Sequence, residues 1–158
     1  MTFEIYRNRV NNFLNTLLTG QNALNESMRY SVLAGGKRFR PILTYTTANL
    51  FDVELSQVDA CSAAVELIHI YSLIHDDLPA MDDDDMRHNQ PSSHKIFGEA
   101  QAILVGDGLQ ALAFKVLAGA ENIKPSARIK LLNLLARSAF EMADGQSIDL
   151  SVVSKNVD

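Results

Sequence analysis

The chain holds a single cysteine, Cys61, and no tryptophan among its 158 residues. One cysteine excludes an internal disulfide framework and any zinc site built on cysteines. No apolar run approaches the ~18 residues that a membrane-crossing helix needs. The first twenty residues carry Arg7, Arg9 and several asparagines, with nothing like the apolar stretch of a signal peptide. These absences predict a soluble cytoplasmic protein without a membrane span. Basic excess is missing too. The formal net charge is −5, from 14 basic and 19 acidic residues, and no basic stripe exists that could neutralise a row of phosphates, which argues against nucleic acid as a partner.

The acidity is local. Asp76, Asp77, Asp82, Asp83, Asp84 and Asp85 fall within ten consecutive positions. Without these six, the remaining acids and the 14 bases nearly balance. At 158 residues and 47% hydrophobic content, the chain is long enough for one domain with a sizeable core.

Strand signals are also absent: no alternating apolar and polar run lies between turn residues. The dominant period is helical. Phe3, Tyr6, Val10, Phe13, Leu14 and Leu17 make one apolar stripe that ends at Gly20. A second helix is expected from about Asn22 to Ala34, stopped by Gly35 and Gly36, and a third with Pro41 in its first turn runs towards Phe51. Ser56 to Asp59 resembles a capping box opening a long helix that reaches the aspartate cluster. Arg87 to Ser93 is polar with one proline and reads as a loop. Glu99 to Ala118 is helical in pattern despite Gly106 and Gly108, each costing about 1 kcal/mol relative to alanine and best explained by close helix packing. A last helix begins near Pro125. The class is all-α. The chain ends at SVVSKNVD with no glycine or proline stop after an amphipathic helix, so it is expected to be a piece of a larger helical protein.

Two segments carry chemistry. In HIYSLIHDDLPAMDDDDMR (His69 to Arg87) the carboxylates repel one another along a helix, and a run of this kind alone is usually a solvated loop. Here it follows directly on an apolar helix that must be buried. Such carboxylates suit Mg²⁺, which takes oxygen ligands and shares them with phosphates. An EF-hand does not fit, because no window supplies its glycine and terminal glutamate. His69 and Asp76, seven apart, share one helical face. Pro79 is expected to kink or widen the helix beyond them, so ideal angles leave open whether Asp82 or Asp83 joins that face. In GGKRFRP (Gly35 to Pro41), two glycines precede Lys37, Arg38 and Arg40 at a helix entrance, where free N–H groups and guanidinium forks favour phosphate oxygens. A basic turn alone is weak evidence. Beside a magnesium-competent cluster it suggests two diphosphates facing one another.

With GGKRFRP, ELIHIYSLIHDDLPAMDDDDMR, FGEAQAILVGDGLQALAF and GQSIDL in this order, the chain resembles the trans-isoprenyl diphosphate synthase family, in particular the bacterial farnesyl diphosphate synthases (geranyltranstransferases). The resemblance implies that residues 1–158 are the N-terminal part of a single helical prenyl synthase domain. Its helices would surround a central cavity, usually in a homodimer. It implies head-to-tail condensation of isopentenyl diphosphate with dimethylallyl or geranyl diphosphate to give farnesyl diphosphate, with Mg²⁺ on the leaving diphosphate and water excluded from the carbocation.

Carried over by position, Lys37, Arg40 and His69 resemble isopentenyl diphosphate ligands. Asp76 and Asp82 resemble the magnesium ligands, with Asp77 in support, and Arg87 resembles the allylic-diphosphate contact. Asp82 is preferred to Asp83 because the insertion around Pro79 belongs to the subfamily pattern. His88 stands where the family usually has an arginine contact to isopentenyl diphosphate, which implies a weaker contact there. Tyr71 and Ser72 fall where the family sets product length, and resemble the C15 pattern. GQSIDL implies that Gln146 and Asp149 lie near the cavity. The family's second aspartate-rich motif lies beyond this chain, so the resemblance also implies an incomplete metal site. The alternatives are a geranylgeranyl diphosphate synthase or a catalytically incomplete fragment acting only as a helical partner. A merely acidic metal-binding protein would leave GGKRFRP, His69 and GQSIDL without a role.

Overall fold

The computed structural model describes residues 2–153, so 154–158 of the closing stretch lie outside the described residues. Among the described residues are seven α-helices: α1 (Thr2–Leu17), α2 (Ala23–Leu33), α3 (Phe39–Leu50), α4 (Asp59–Asp76), α5 (Ser93–Phe97), α6 (Glu99–Ala118) and α7 (Pro125–Val153). The helical stripe of α1 buries Tyr6, Val10 and Leu14, each four residues from the next, as one helix face requires. Asn22 caps α2 by accepting from the backbone N–H of Asn25 at 2.9 Å, which satisfies one of the orphan donors at a helix start.

Helix α4 is the central element. Its residues Ala63, Ala64, Leu67, Ile70 and Ile74 are buried, and α1, α2, α3, α6 and α7 all pack on it. Its closest partner is α6. At Gly106, an added Cβ would stand 2.1 Å from the Nε2 of His75, so only glycine permits this approach; the His75 ring nitrogen lies 3.1 Å from the Ile103 carbonyl. Gly108 is less constrained, since the nearest atom to its added Cβ would be the Met28 sulfur at 3.4 Å. The bidentate pair of Arg9 with Asp59 (both contacts 2.7 Å) and the 2.7 Å hydrogen bond from the Tyr45 hydroxyl to the same carboxylate tie α1, α3 and α4 together.

Three local expectations are corrected. Ser56 does not cap α4: a 3₁₀ turn, Leu55–Gln57, comes first, Val58 occupies the cap position without a side-chain bond, and the Ser56 carbonyl accepts from Asn122. The polar segment expected to be a loop contains a minimal antiparallel hairpin, β1 (Met86–Arg87) against β2 (Gln90–Pro91). His88 and Asn89 turn it with φ of 52° and 63°, the left-handed pair that tight hairpins demand. Two-residue strands are too short to show alternation. The five-residue α5 is likewise shorter than any periodicity can reveal. Finally, α6 is long and apolar enough to cross a membrane by length and composition alone; Asp107 and the neighbouring glutamines break its apolar run in sequence. In the fold it packs against α2, α4, α5 and α7, as a core helix of the bundle.

Candidate active site

The segment from Gly35 to Pro41 divides its three cations between two tasks. Gly35 and Gly36 take φ of 101° and 110°, and Arg38 follows at 51°, so the chain reverses through left-handed conformations that favour glycine. The reversal turns Arg38 inwards. Its guanidinium donates to Glu66 Oε1 and Asn11 Oδ1, both at 2.9 Å, and to the Val32 carbonyl. Only 4% of Arg38 is exposed. Lys37 and Arg40 remain exposed and line a cavity of about 570 Å³ together with Arg7, His69, Arg87 and His88. Lys37, Arg40, His69, Arg87 and His88, all singled out in the sequence, therefore meet in one space. Its volume falls in the range of small-molecule sites.

Arg7 was missed. It lies on α1, one residue past the buried Tyr6, and its Nε is buried without a partner among the described residues. Its only sequence signal was a basic residue beside the apolar stripe of α1, which surface arginines share.

His69 sits half-buried on α4. Burial, followed by the positive charge of Arg40, pushes its imidazole below the ordinary pKa, while Glu66 pulls the other way. Arg87 is held by the buried carboxylate of Asp77 and by Asp84, the latter at 3.1 Å. Asp77 thus acts by fixing Arg87. His88 packs at the mouth of the glycine turn, where an added Cβ on Gly36 would stand 3.2 Å from its Nε2.

Helix α4 ends at Asp76 instead of continuing through a kink. Pro79 supplies no N–H donor, and the chain folds back so that the Asp82 N–H donates to the Asp76 carbonyl at 2.8 Å. The reversal returns Asp82 to the end of α4 and leads Asp83 elsewhere. The Asp76 carboxyl is pushed above its ordinary pKa by burial, then by the negative charges of Asp82 and Asp77, with Arg87 and His75 opposing. Crowded carboxylates of this kind gain from a divalent cation, and their all-oxygen donor set fits a hard one.

Asp76 lines a second cavity, of about 390 Å³, with Tyr71, Ser72, Met142 and Gln146. Asp149 is exposed and is not part of that lining. A third, mainly apolar cavity of about 320 Å³ lies between these two. It shares Arg40 and His69 with the cationic cavity, and Ser72 and Met142 with the Asp76 cavity; Ala64, Val65, Ile68, Leu131 and Leu135 form its walls. The three are neighbours through these shared walls: cations line the first, apolar side chains the middle one, and Asp76 beside Tyr71 and Ser72 the last. Arg87 opens on the cationic cavity, yet is near enough to Asp76 for its charge to lower that carboxyl's pKa.

Residues 21–158 match the family model described as polyprenyl synthetase. The chain belongs to the polyprenyl synthetase family. Within it, the chain is 50% identical over 136 residues to the farnesyl diphosphate synthase of Escherichia coli (strain K12), which covers 84% of this chain and 46% of that protein. The crystal structure of a geranyltransferase from Legionella pneumophila superposes with a TM-score of 0.91 at 43% identity, over 99% of this chain and 57% of that one. A geranylgeranyl pyrophosphate synthetase from the archaeon Geoglobus acetivorans superposes with a TM-score of 0.90 at 32% identity, over 96% of this chain and 49% of that one. The chain spans about half the length of the curated relatives it matches. The all-α class agrees with these polyprenyl synthetase neighbours.

Proposed function

We propose that residues 1–158 form the N-terminal part of one helical prenyl synthase domain, which condenses isopentenyl diphosphate head-to-tail with dimethylallyl or geranyl diphosphate to give farnesyl diphosphate. The observation that carries this reading is the row of adjoining cavities, with the exposed cations Lys37 and Arg40 lining the first and Asp76 lining the last. A diphosphate is polyanionic, so the two ends must recognise it differently. Lys37, Arg40 and His69 bind the diphosphate of isopentenyl diphosphate directly, with His88 at the rim, and Arg87, whose charge reaches Asp76, meets the allylic diphosphate. Asp76 and Asp82 hold Mg²⁺, which when bound would stabilise negative charge on the leaving diphosphate of the allylic substrate.

The residues between do the rest. The apolar walls from Ala64 to Leu135 exclude water that would quench an allylic cation. They also bring the isopentenyl double bond towards the carbon that loses its diphosphate. Tyr71 and Ser72 bound the space available to the growing chain. His69, with its depressed pKa, stays mostly uncharged at neutral pH and offers one ring N–H to a phosphate oxygen. A cytoplasmic location and a homodimer belong to the same proposal. The exposed Ile103 and Leu104 of α6 give such an interface an apolar face to cover.

The test is product analysis with the protein from its source, fed labelled isopentenyl diphosphate and geranyl diphosphate with Mg²⁺. A C15 product is expected. A C20 product would instead favour the geranylgeranyl reading, and no prenyl product at all would sink the proposal.

A further inference from the structure

Outside the three adjoining cavities, one cluster lacks an explanation. His94, at the start of α5, is only 7% exposed. Both of its ring nitrogens are buried without a hydrogen-bond partner among the described residues. An imidazole always has at least one N–H to donate, so leaving both nitrogens unpaired in the interior is destabilising. One of these nitrogens lies within 4.8 Å of carboxylate oxygens of both Asp83 and Asp85, which are likewise within 4.8 Å of each other. Asp83 reaches this place through a left-handed backbone, φ 52°, directly after Asp82 has turned back to α4.

We propose that Asp83, Asp85 and His94 form a second divalent-metal site, separate from the Asp76–Asp82 pair, for an ion of the Zn²⁺ class. The donor set decides the class. Imidazole nitrogen suits zinc and its neighbours, whereas Mg²⁺ prefers oxygen throughout. Three donors on one zinc ion at ~2.0–2.2 Å leave a fourth position for water. The two carboxylates are exposed, while the imidazole is buried. The present neighbour of Asp85 is the ammonium of Lys95, at 2.6 Å. That pair is exposed on both sides, and such surface pairs are weak, so an ion can displace Lys95. A bound ion would clip the acidic loop to α5 one residue from Asp82. This inference stands apart from the prenyl-transfer reading, since none of its three ligands lines the adjoining cavities.

The test is calorimetric titration of the protein from its source, free of tags, with Zn²⁺ in excess Mg²⁺. One equivalent should bind. Asp85→Asn and His94→Gln should each weaken it roughly tenfold or more, since removing even a group that only orients a ligand has that effect. Asp82→Asn should leave it nearly unchanged. Asp85 is exposed, so its variant decides the matter even if His94→Gln fails to fold. No binding, binding indifferent to Asp85→Asn, or binding lost with Asp82→Asn but kept with Asp85→Asn would overturn the proposal.

Discussion

Arg38 lies between two exposed cations in the sequence, and the structure gives it a different fate. Replacing Arg38 by methionine removes its donors to Glu66, Asn11 and the Val32 carbonyl. Glu66 is then left 4% exposed, with one carboxylate oxygen already unpartnered among the described residues and its ion-pair partner Arg38 gone. Stranding one member of a buried pair costs about 3–5 kcal/mol. For a chain of this length each kcal/mol moves Tm by about 2–4 °C, so Arg38→Met should lower Tm by roughly 6–20 °C. Lys37→Gln and Arg40→Gln change exposed side chains and should cost no more than ~0.5 kcal/mol. Thermal and urea unfolding followed by circular dichroism measure all three. The double variant Arg38→Met/Glu66→Leu should regain most of the loss, because the orphaned charge disappears with its partner. A loss below ~1 kcal/mol for Arg38→Met, or equal losses for all three cations, would refute the division of labour in the turn.

The remaining predictions concern the adjoining cavities. Asp76 has a raised pKa, so the folded state holds its proton more readily than the unfolded one. The ionised group therefore opposes folding at neutral pH, and that penalty fades as pH falls through the raised value. Without divalent cations, Asp76→Asn should raise Tm at pH 7 and lose this advantage in acid, while Mg²⁺ should stabilise the parent chain more than the variant. In the protein from its source, Asp76→Ala should collapse prenyl-transfer turnover without unfolding the chain; retained turnover at ordinary Mg²⁺ would refute its role. Ser72→Phe should shift product towards C10 and Tyr71→Ala towards longer chains, read by chromatography. Arg7→Met should weaken inorganic diphosphate binding about tenfold, the scale of one charged hydrogen bond, with little change in helicity.

The helical framework was legible because amphipathic periodicity survives in a bundle. Glu99 to Ala118 and the start at Pro125 coincide with α6 and α7, and Gly106 announced the tight approach of α6 to α4. What stayed hidden was short or three-dimensional. The hairpin at His88–Asn89 and the five-residue α5 are briefer than any period. The fate of Arg38 depended on a left-handed turn that sequence spacing cannot show. The cations at Lys37, Arg40, His69 and Arg87 were readable as a group only through motif order, and the structure then brought them to one cavity. Arg7 and His94 carried no local pattern. Their significance lies in buried nitrogens without partners, which emerge only after folding.

The central claim is that this chain grips one diphosphate with side-chain cations and prepares another grip through carboxylates and metal. Calorimetric titration with isopentenyl diphosphate in the absence of Mg²⁺ tests it most directly. The account predicts binding that needs no metal, falls about tenfold for Lys37→Gln and again for Arg40→Gln, and is indifferent to Asp76→Asn. Binding that requires Mg²⁺, vanishes with Asp76→Asn and ignores both cation variants would contradict it.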